Sequence, residues 1–192
     1  MNAALYAPVF NRGSAPDDFL KTCISVVAGL PDEVFAVNAN DDIYALLFPT
    51  LGPWDGTVIQ RKAAMLEAMR VHAGFESSWI FGLGLDTTNP DSVNDPRQAE
   101  AGAFQISFDS LDLDPSGGLA TCLARYGTVS GPETFQTLMK ATPALQVEYY
   151  ARLVRIGIQW AGPLIDPPPN SIIPWLSRDA MAAFQQGLTP IV

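Results

Sequence analysis

The chain has 192 residues, 48% of them hydrophobic and 16% charged, a composition that excludes a disordered chain. Its net charge of −9 is a poor electrostatic match for nucleic acid or an anionic membrane surface. We therefore expect no nucleic-acid binding. No run approaches the roughly 18 consecutive apolar residues of a membrane-spanning helix, so we also expect no membrane insertion. The length predicts a single domain, residues 1–192, that can bury its own core.

The first quarter of the chain predicts N-terminal helices within residues 14–48. Acidic Asp17 and Asp18 follow Pro16 at a helix start, and apolar residues then recur at helical spacing up to Val27. Gly29 is typical of the end of this helix, and a second short pattern covers 32–48. The N-terminal residues have neither a basic segment nor a sustained apolar stretch, so we expect no Sec-type signal.

The clearest predicted helix begins after Thr57, which with Gln60 fits a capping box. Apolar residues then follow the three- and four-residue steps of one face, and the helix should end at Phe75 or Ser77. A polar stretch over 81–100 predicts a long loop, with a small β-hairpin or irregular region near 81–107. Further helices are predicted near 116–126, 132–141, 143–159 and 174–187, so the fold class is mainly α with a small β element.

The two cysteines, Cys23 and Cys122, are too few for a disulfide framework. Two buried thiols and one bridge formed after export are both compatible with the sequence.

The distinctive chemistry lies at the end of the Thr57 helix, where Glu76 follows largely apolar turns. Burial beside Phe75 and Trp79 disfavours a charged carboxylate, and so does the negative end of the helix dipole. A carboxyl group that stays protonated near neutral pH is the general acid that cleavage of a glycosidic bond requires.

Two segments together resemble the goose-type lysozyme and lytic transglycosylase superfamily. That family has a helix ending in Glu-Ser, a polar loop and a Gly-rich segment with a Gln between apolar residues. Here the helix ends in Glu76-Ser77-Ser78-Trp79, and the second segment is Gly102-Ala103-Phe104-Gln105-Ile106-Ser107. The resemblance covers roughly residues 57–110, with a catalytic core over about 57–160.

The resemblance implies a lysozyme-like α+β domain and a peptidoglycan glycoside hydrolase, a muramidase. Such an enzyme cuts the β-1,4 bond between N-acetylmuramic acid and N-acetylglucosamine and needs no cofactor or metal. By this analogy Glu76 is the acid, Gln105 and its neighbours line the sugar groove, and Ser77 contacts the substrate. Separately, aromatic rings can stack on sugar faces, and Phe104 and Tyr150 are the preferred candidates for such a platform in the cleft.

The second carboxylate is less defined, because Ser107 stands where the family places an aspartate. Glu100 is the preferred partner of Glu76, and Asp86 in the polar loop is the second candidate. An inverting hydrolase needs a base roughly 6.5–9.5 Å from the acid, and a retaining one a nucleophile roughly 5–5.5 Å away. A lytic transglycosylase needs neither, so both reaction types stay open.

Three alternatives have different chemistry. A papain-like cysteine enzyme would use Cys23 with His72, the single histidine of the chain. A metal ion would be shared by His72 and Glu76 at helical spacing. An inactive lysozyme-like protein would bind glycan strands without cutting them.

Peptidoglycan lies outside the bacterial cytoplasm, so an enzyme without a Sec signal needs another route. A phage endolysin leaves through a holin, and a type VI secretion effector is injected into the periplasm of a target cell. The acidic chain favours an exported antibacterial toxin, for which we expect a cognate immunity protein as partner.

Overall fold

In the computed structural model of the chain, residues 1–38, 42–84, 95–167 and 170–189 are described. These parts contain seven α-helices: α1 (Asp17–Gly29), α2 (Ile43–Leu51), α3 (Val58–Ser77), α4 (Gly118–Ala124), α5 (Pro132–Ala141), α6 (Pro143–Leu153) and α7 (Arg178–Leu188). Short 3-10 helices connect them: Ala3–Tyr6, Asp32–Val34, Phe108–Leu113, Ile158–Trp160, Gly162–Leu164 and Ile173–Trp175. The prediction of a mainly helical fold is confirmed.

The predicted β-hairpin near 81–107 is wrong, because the described residues of this region contain only an isolated bridge between Ala101 and Ile106. Gly102 and Gln105 both have positive φ, +80° and +46°, and reverse the chain within four residues. A 3-10 helix then begins at Phe108, so no extended strand can continue from the bridge. The α+β description of the domain is therefore not supported.

Helix α3 runs through the middle of the molecule. The Thr57 side chain accepts a hydrogen bond from the amide of Gln60, and the helix ends at Ser77, both as predicted. The single apolar face is wrong, because residues all around the helix from Arg61 to Gly74 are buried. Its buried polar side chains are paired; for example, Lys62 donates to the carbonyl oxygen of Leu30 at 3.1 Å.

The other helices surround α3 in two groups. Helices α1, α2 and α7 pack directly against it, and α6 packs against α1, α4 and α5. One hydrophobic core extends across these contacts and draws side chains from Leu5 near the N-terminus to Phe184 in α7.

A buried ion pair joins α3 to both ends of the chain. The guanidinium of Arg70 donates two hydrogen bonds of 2.7 Å to the carboxylate of Glu67, and both side chains are fully buried. Arg70 also donates to the carbonyl oxygens of Ala7 and Trp175, and Glu67 accepts from the amide of Ser177. The pair therefore fixes the N- and C-terminal segments against the same turn of α3.

Three predicted helices are shorter than expected, and the first of them, α4, covers Gly118–Ala124 instead of 116–126. Helix α6 ends at Leu153 because the chain becomes extended at Gly157 before the next 3-10 helix. Helix α7 begins only after Ser177, whose side chain caps it, because Pro174 belongs to a separate 3-10 turn. Cys23 and Cys122 are free and buried, which decides between the two alternatives for the thiols.

Candidate functional site

The C-terminal end of α3 is fixed by a tight reversal directly after Glu76. Ser78 and Trp79 both adopt left-handed backbone conformations, with φ of +53° and +65°. The Trp79 ring then lies back on Gly74, where a Cβ atom would be only 2.7 Å from it, and its indole N–H donates to the carbonyl oxygen of Arg70 at 2.8 Å. This reversal determines where the side chain of Glu76 emerges from the helix.

Ser77 holds this helix end against the second motif. Its buried hydroxyl lies within hydrogen-bond distance of the carbonyl oxygens of Ala73 and Ala103, at 3.0 and 2.8 Å. The same oxygen accepts from the amide of Ile80 at 3.2 Å. Ser77 is thus occupied by backbone groups and lies outside the cavity wall, so the structure does not place it where a ligand would bind.

Hydrogen bonds from Gln146 on α6 hold the second motif, the Gly102–Ser107 segment, in place. The side-chain oxygen of Gln146 accepts from the amide of Ala103 at 2.7 Å, and its amide group donates to the carbonyl oxygens of Phe81 and Met139. A Cβ atom on Gly102 would lie 2.3 Å from Gln146, so only glycine fits there. Gln146 therefore fixes the position of the Gly102–Ser107 segment relative to α3.

A cavity of about 380 Å³ opens between the end of α3, this segment, α6 and the chain after α6. Such a volume suits a small ligand or part of a larger one. Of the predicted site residues, the cavity wall brings together Glu76, Glu100, Phe104, Gln105 and Tyr150. Asp86 lies outside the described residues.

Glu76 has the electrostatic character of a proton donor. Its side chain is 27% exposed and faces the cavity. Burial, reinforced by the negative charges of Glu100 and Asp166, raises the pKa of Glu76 from 4.5 to about 7. The carboxyl group is therefore about half protonated at neutral pH.

Next to Glu76, His72 is buried and neutral. The Nδ1 atom of its ring lies 2.8 Å from the hydroxyl of Tyr150, and its Nε2 atom lies 3.8 Å from Oε1 of Glu76. Burial lowers the pKa of His72 to about 3 and raises that of Tyr150 well above its ordinary value. The cavity wall thus places the Glu76 carboxyl group beside a fixed imidazole.

The aromatic residues have a different arrangement from the one expected of a sugar platform. Phe104 and Tyr150 stack on each other, with ring centroids 4.4 Å apart and planes 21° apart, and both are almost fully buried. Each ring therefore covers one face of the other. Trp160 also lines the cavity and is only half-buried.

Sequence reasoning missed several wall and support residues, because they are distant in the chain. Gln146 lay in a predicted helix with no motif around it, and Gly162 directly precedes the Pro-rich connector predicted over 163–170. A Cβ atom on Gly162 would be 2.9 Å from the His72 ring, so this glycine permits the close approach of the connector. The adjacent acidic Asp166 had no signal in the sequence beyond its charge.

The alternative catalytic groups are not assembled. Cys23 is buried outside the cavity wall, and burial raises its pKa far above the range in which a thiolate forms. Within the described ranges, no three His, Cys, Asp or Glu side chains lie close enough together to hold a metal ion. In the same ranges, no helix is both long and apolar enough to cross a lipid bilayer.

Comparison with known proteins does not support the expected family. No protein family matches the chain, and no solved structure matches it. The chain is 28% identical over 124 residues to Integrator complex subunit 14 of Drosophila melanogaster. That alignment covers 56% of this chain and 21% of the Drosophila protein, so the chain spans about a fifth of its length.

This similarity contradicts the resemblance to goose-type lysozymes and lytic transglycosylases, and with it the muramidase, endolysin and antibacterial-toxin assignments. The structure gives a physical reason for the error. The motif residues Ser77 and Gln105 bond to nearby backbone carbonyl groups, so both serve local turns that need no glycan ligand. An inhibitor protein and a site of action outside the cytoplasm stay predictions that neither fold nor comparisons test.

Proposed function

We propose that the chain is an enzyme in which Glu76 acts as general acid on an uncharged substrate bound in the cavity. The observation that carries this proposal is the raised pKa of Glu76 at a cavity wall, since a proton donor works best when its pKa lies near the working pH. The reaction class is cleavage of a C–O bond, as in an acetal or glycoside, whose leaving oxygen needs a proton.

The charge of the wall supports an uncharged substrate. The described wall carries the acidic side chains of Glu76, Glu100 and Asp109 and no Lys or Arg. An anionic substrate would therefore be repelled, because like charges at short distance cost several kcal/mol in a partly buried site.

Glu100 has two roles in this proposal. Its charge helps Glu76 to keep its proton before the reaction. Once Glu76 has given that proton to the leaving oxygen, a carboxylate on the same wall stabilises positive charge that develops on the substrate. Gln105 lines the wall and donates its amide hydrogen to the carbonyl oxygen of Gly102 at 2.7 Å, which leaves its side-chain oxygen for the ligand.

The proposal is tested by incubating the purified chain with uncharged oligosaccharides and with uronic-acid oligosaccharides of the same length. Mass spectrometry of the products should show cleavage of an uncharged member only, with a rate that falls as the pH rises above about 7. Glu76→Gln should reduce the rate at least about 100-fold. The exposed Glu133→Gln is the matched control and should keep it. A rate unaffected by Glu76→Gln, or no cleavage of any uncharged member, would contradict the proposal.

A second candidate function is that of a subunit in a protein assembly. The observation in its favour is the similarity to a protein named as a subunit of the Integrator complex. The chain, tagged at its natural expression level, should then sediment in a species of defined mass well above its own 20.7 kDa and keep fixed stoichiometry after a salt wash. Sedimentation at the mass of the chain alone would argue against this candidate.

A further inference from the structure

We infer that His72 and Tyr150 form a positioning pair for Glu76, in which the Tyr150 hydroxyl holds the imidazole with its Nε2–H directed at the Glu76 carboxyl group. The inference rests on the proposed role of Glu76 as general acid. It assigns to the single histidine of the chain a function that involves no change of its own protonation state.

The His72 ring lies between the Tyr150 hydroxyl and the Glu76 carboxyl group and is close to both. The Tyr150 hydroxyl lies 2.8 Å from Nδ1 of His72, and Nε2 on the opposite side of the ring lies 3.8 Å from Oε1 of Glu76. His72 and Glu76 are one helical turn apart on α3, whereas Tyr150 comes from α6. The pair therefore connects two helices and ends at the carboxyl group.

The hydrogen bond between Tyr150 and His72 determines which ring nitrogen of His72 carries the proton. Within the described residues, His72 is the one partner of the buried Tyr150 hydroxyl. If Nδ1 carried the proton, the buried hydroxyl hydrogen would lack an acceptor among the described residues, which is unfavourable. The hydroxyl therefore donates to Nδ1, and the single proton of the neutral ring is left on Nε2.

Packing fixes the ring in this orientation. Tyr150 meets the His72 ring edge-on with centroids 5.0 Å apart, and Phe104 meets it edge-on at 6.3 Å. The backbone of Gly162 approaches so closely that a Cβ atom there would be 2.9 Å from the ring. A flip of the imidazole would thus require movement of three different elements.

The Nε2–H of His72 matters for the Glu76 carboxylate because other negative groups surround that carboxylate. Glu100 from the second motif and Asp166 from the connector both disfavour ionisation of Glu76, and Tyr150 of α6 stays neutral. When Glu76 transfers its proton to the leaving oxygen, it becomes a carboxylate among these negative charges. The Nε2–H of His72, whose nitrogen lies 3.8 Å from Oε1 of Glu76, then stabilises the carboxylate electrostatically, while its own proton stays on the ring.

The tautomer is measured directly by ¹⁵N NMR of the imidazole in the unaltered protein. Because the chain has one histidine, its ring nitrogens give a single unambiguous set of signals. We expect the neutral Nε2–H form across pH 5 to 8, whatever the protonation state of Glu76. A ring protonated on Nδ1, or an imidazolium that forms in this range, would overturn the inference.

Substitution of the tyrosine tests the effect on Glu76. Tyr150→Phe removes the hydroxyl that fixes the ring, so the ¹⁵N signals should show a mixture of tautomers. The pKa of Glu76 should then rise by about one pH unit, a tenfold change in its dissociation constant. Tyr149→Phe is the matched control, because the adjacent hydroxyl is equally buried but bonds to Ser110 instead of His72. An equal pKa of Glu76 in both variants would overturn the inference.

The positioning pair and the proposed enzymatic function are tested by different results. Loss of the expected tautomer in a protein that still cleaves an uncharged substrate through Glu76 would overturn the positioning pair alone. The expected tautomer and pKa response in a protein without such cleavage would support the pair while overturning the proposed enzymatic function.

Discussion

Burial of the Glu76 carboxyl group lowers the free energy of unfolding when the group is charged. Its pKa is about 7 in the folded protein and about 4.5 in an unfolded chain, so the folded state binds more protons between these values. Stability therefore falls as the pH rises through this interval, and above pH 7 the full cost is on the order of 3 kcal/mol.

Glu76→Gln should remove this cost, because the amide has the same shape and no charge to bury. We expect the variant to be more stable than the parent at pH 8, by up to the order of 3 kcal/mol, and equally stable below pH 4.5. Urea denaturation at the two pH values measures the difference. A variant that is no more stable at pH 8 would show that Glu76 ionises without penalty.

Gly102 lies where an added side chain would meet Gln146. Gly102→Ala combines a clash at Gln146 with a left-handed backbone, and should destabilise the protein by roughly 2 kcal/mol. Gly82→Ala, where the added methyl group meets nothing within 4 Å, is the control and should change stability little. Similar losses in both variants would mean that the Gln146 contact does not restrict Gly102.

At this scale the sequence allowed a protonated Glu76 to be predicted, because apolar neighbours and a helix end were visible in it. The physical causes were only partly right. Negative charge from Glu100 and Asp166 reinforces the burial, and Asp166 is 90 residues away in the chain. The arrangement of Tyr150, His72 and Glu76 was not predictable, since no sequence pattern indicates which face of α6 meets α3.

Helix α3 is the element on which the fold depends, because segments near both ends of the chain bond to its Glu67–Arg70 pair. Arg70→Met should leave the Glu67 carboxylate buried without its partner and cost roughly 3–5 kcal/mol in urea denaturation. Replacement of both residues by Met should cost clearly less, because no buried charge remains. Arg12→Met, at an exposed site, is the control. A double variant less stable than Arg70→Met would contradict this account of the pair.

Helix boundaries were largely predictable, since caps and prolines act locally. Thr57 and Ser77 bound α3 as expected, and α5 begins at Pro132. The burial of α3 on all sides was not predictable, because the spacing of its apolar residues indicated a single apolar face. Its charged residues are buried because specific partners from distant segments satisfy them, and such pairing cannot be inferred from helical periodicity.

At the scale of the whole molecule, the two thiols are independent. Burial raises the pKa of Cys122 to about 11 and that of Cys23 further, so neither forms a thiolate at neutral pH. A thiol-reactive dye at pH 8 should therefore label neither cysteine in the folded chain and both after unfolding in guanidinium without reductant. Absence of labelling after unfolding would indicate a bridge.

The family was predicted wrongly for a reason that also concerns the whole molecule. Two short segments built from common residues matched a known pattern, although the similarity found is to a protein of a different kind. Glu-Ser at a helix end and Gly followed by Gln in a turn are explained here by local bonding of Ser77 and Gln105. Such segments predict local geometry more safely than they predict descent.

The most direct test of the account is the titration of Glu76 itself. In protein labelled with ¹³C at the glutamate carboxyl groups, the signal of Glu76 is identified by its loss in Glu76→Gln and followed by NMR from pH 4 to 9. The account predicts a midpoint near 7. A midpoint at the ordinary glutamate value of about 4.5 would contradict it.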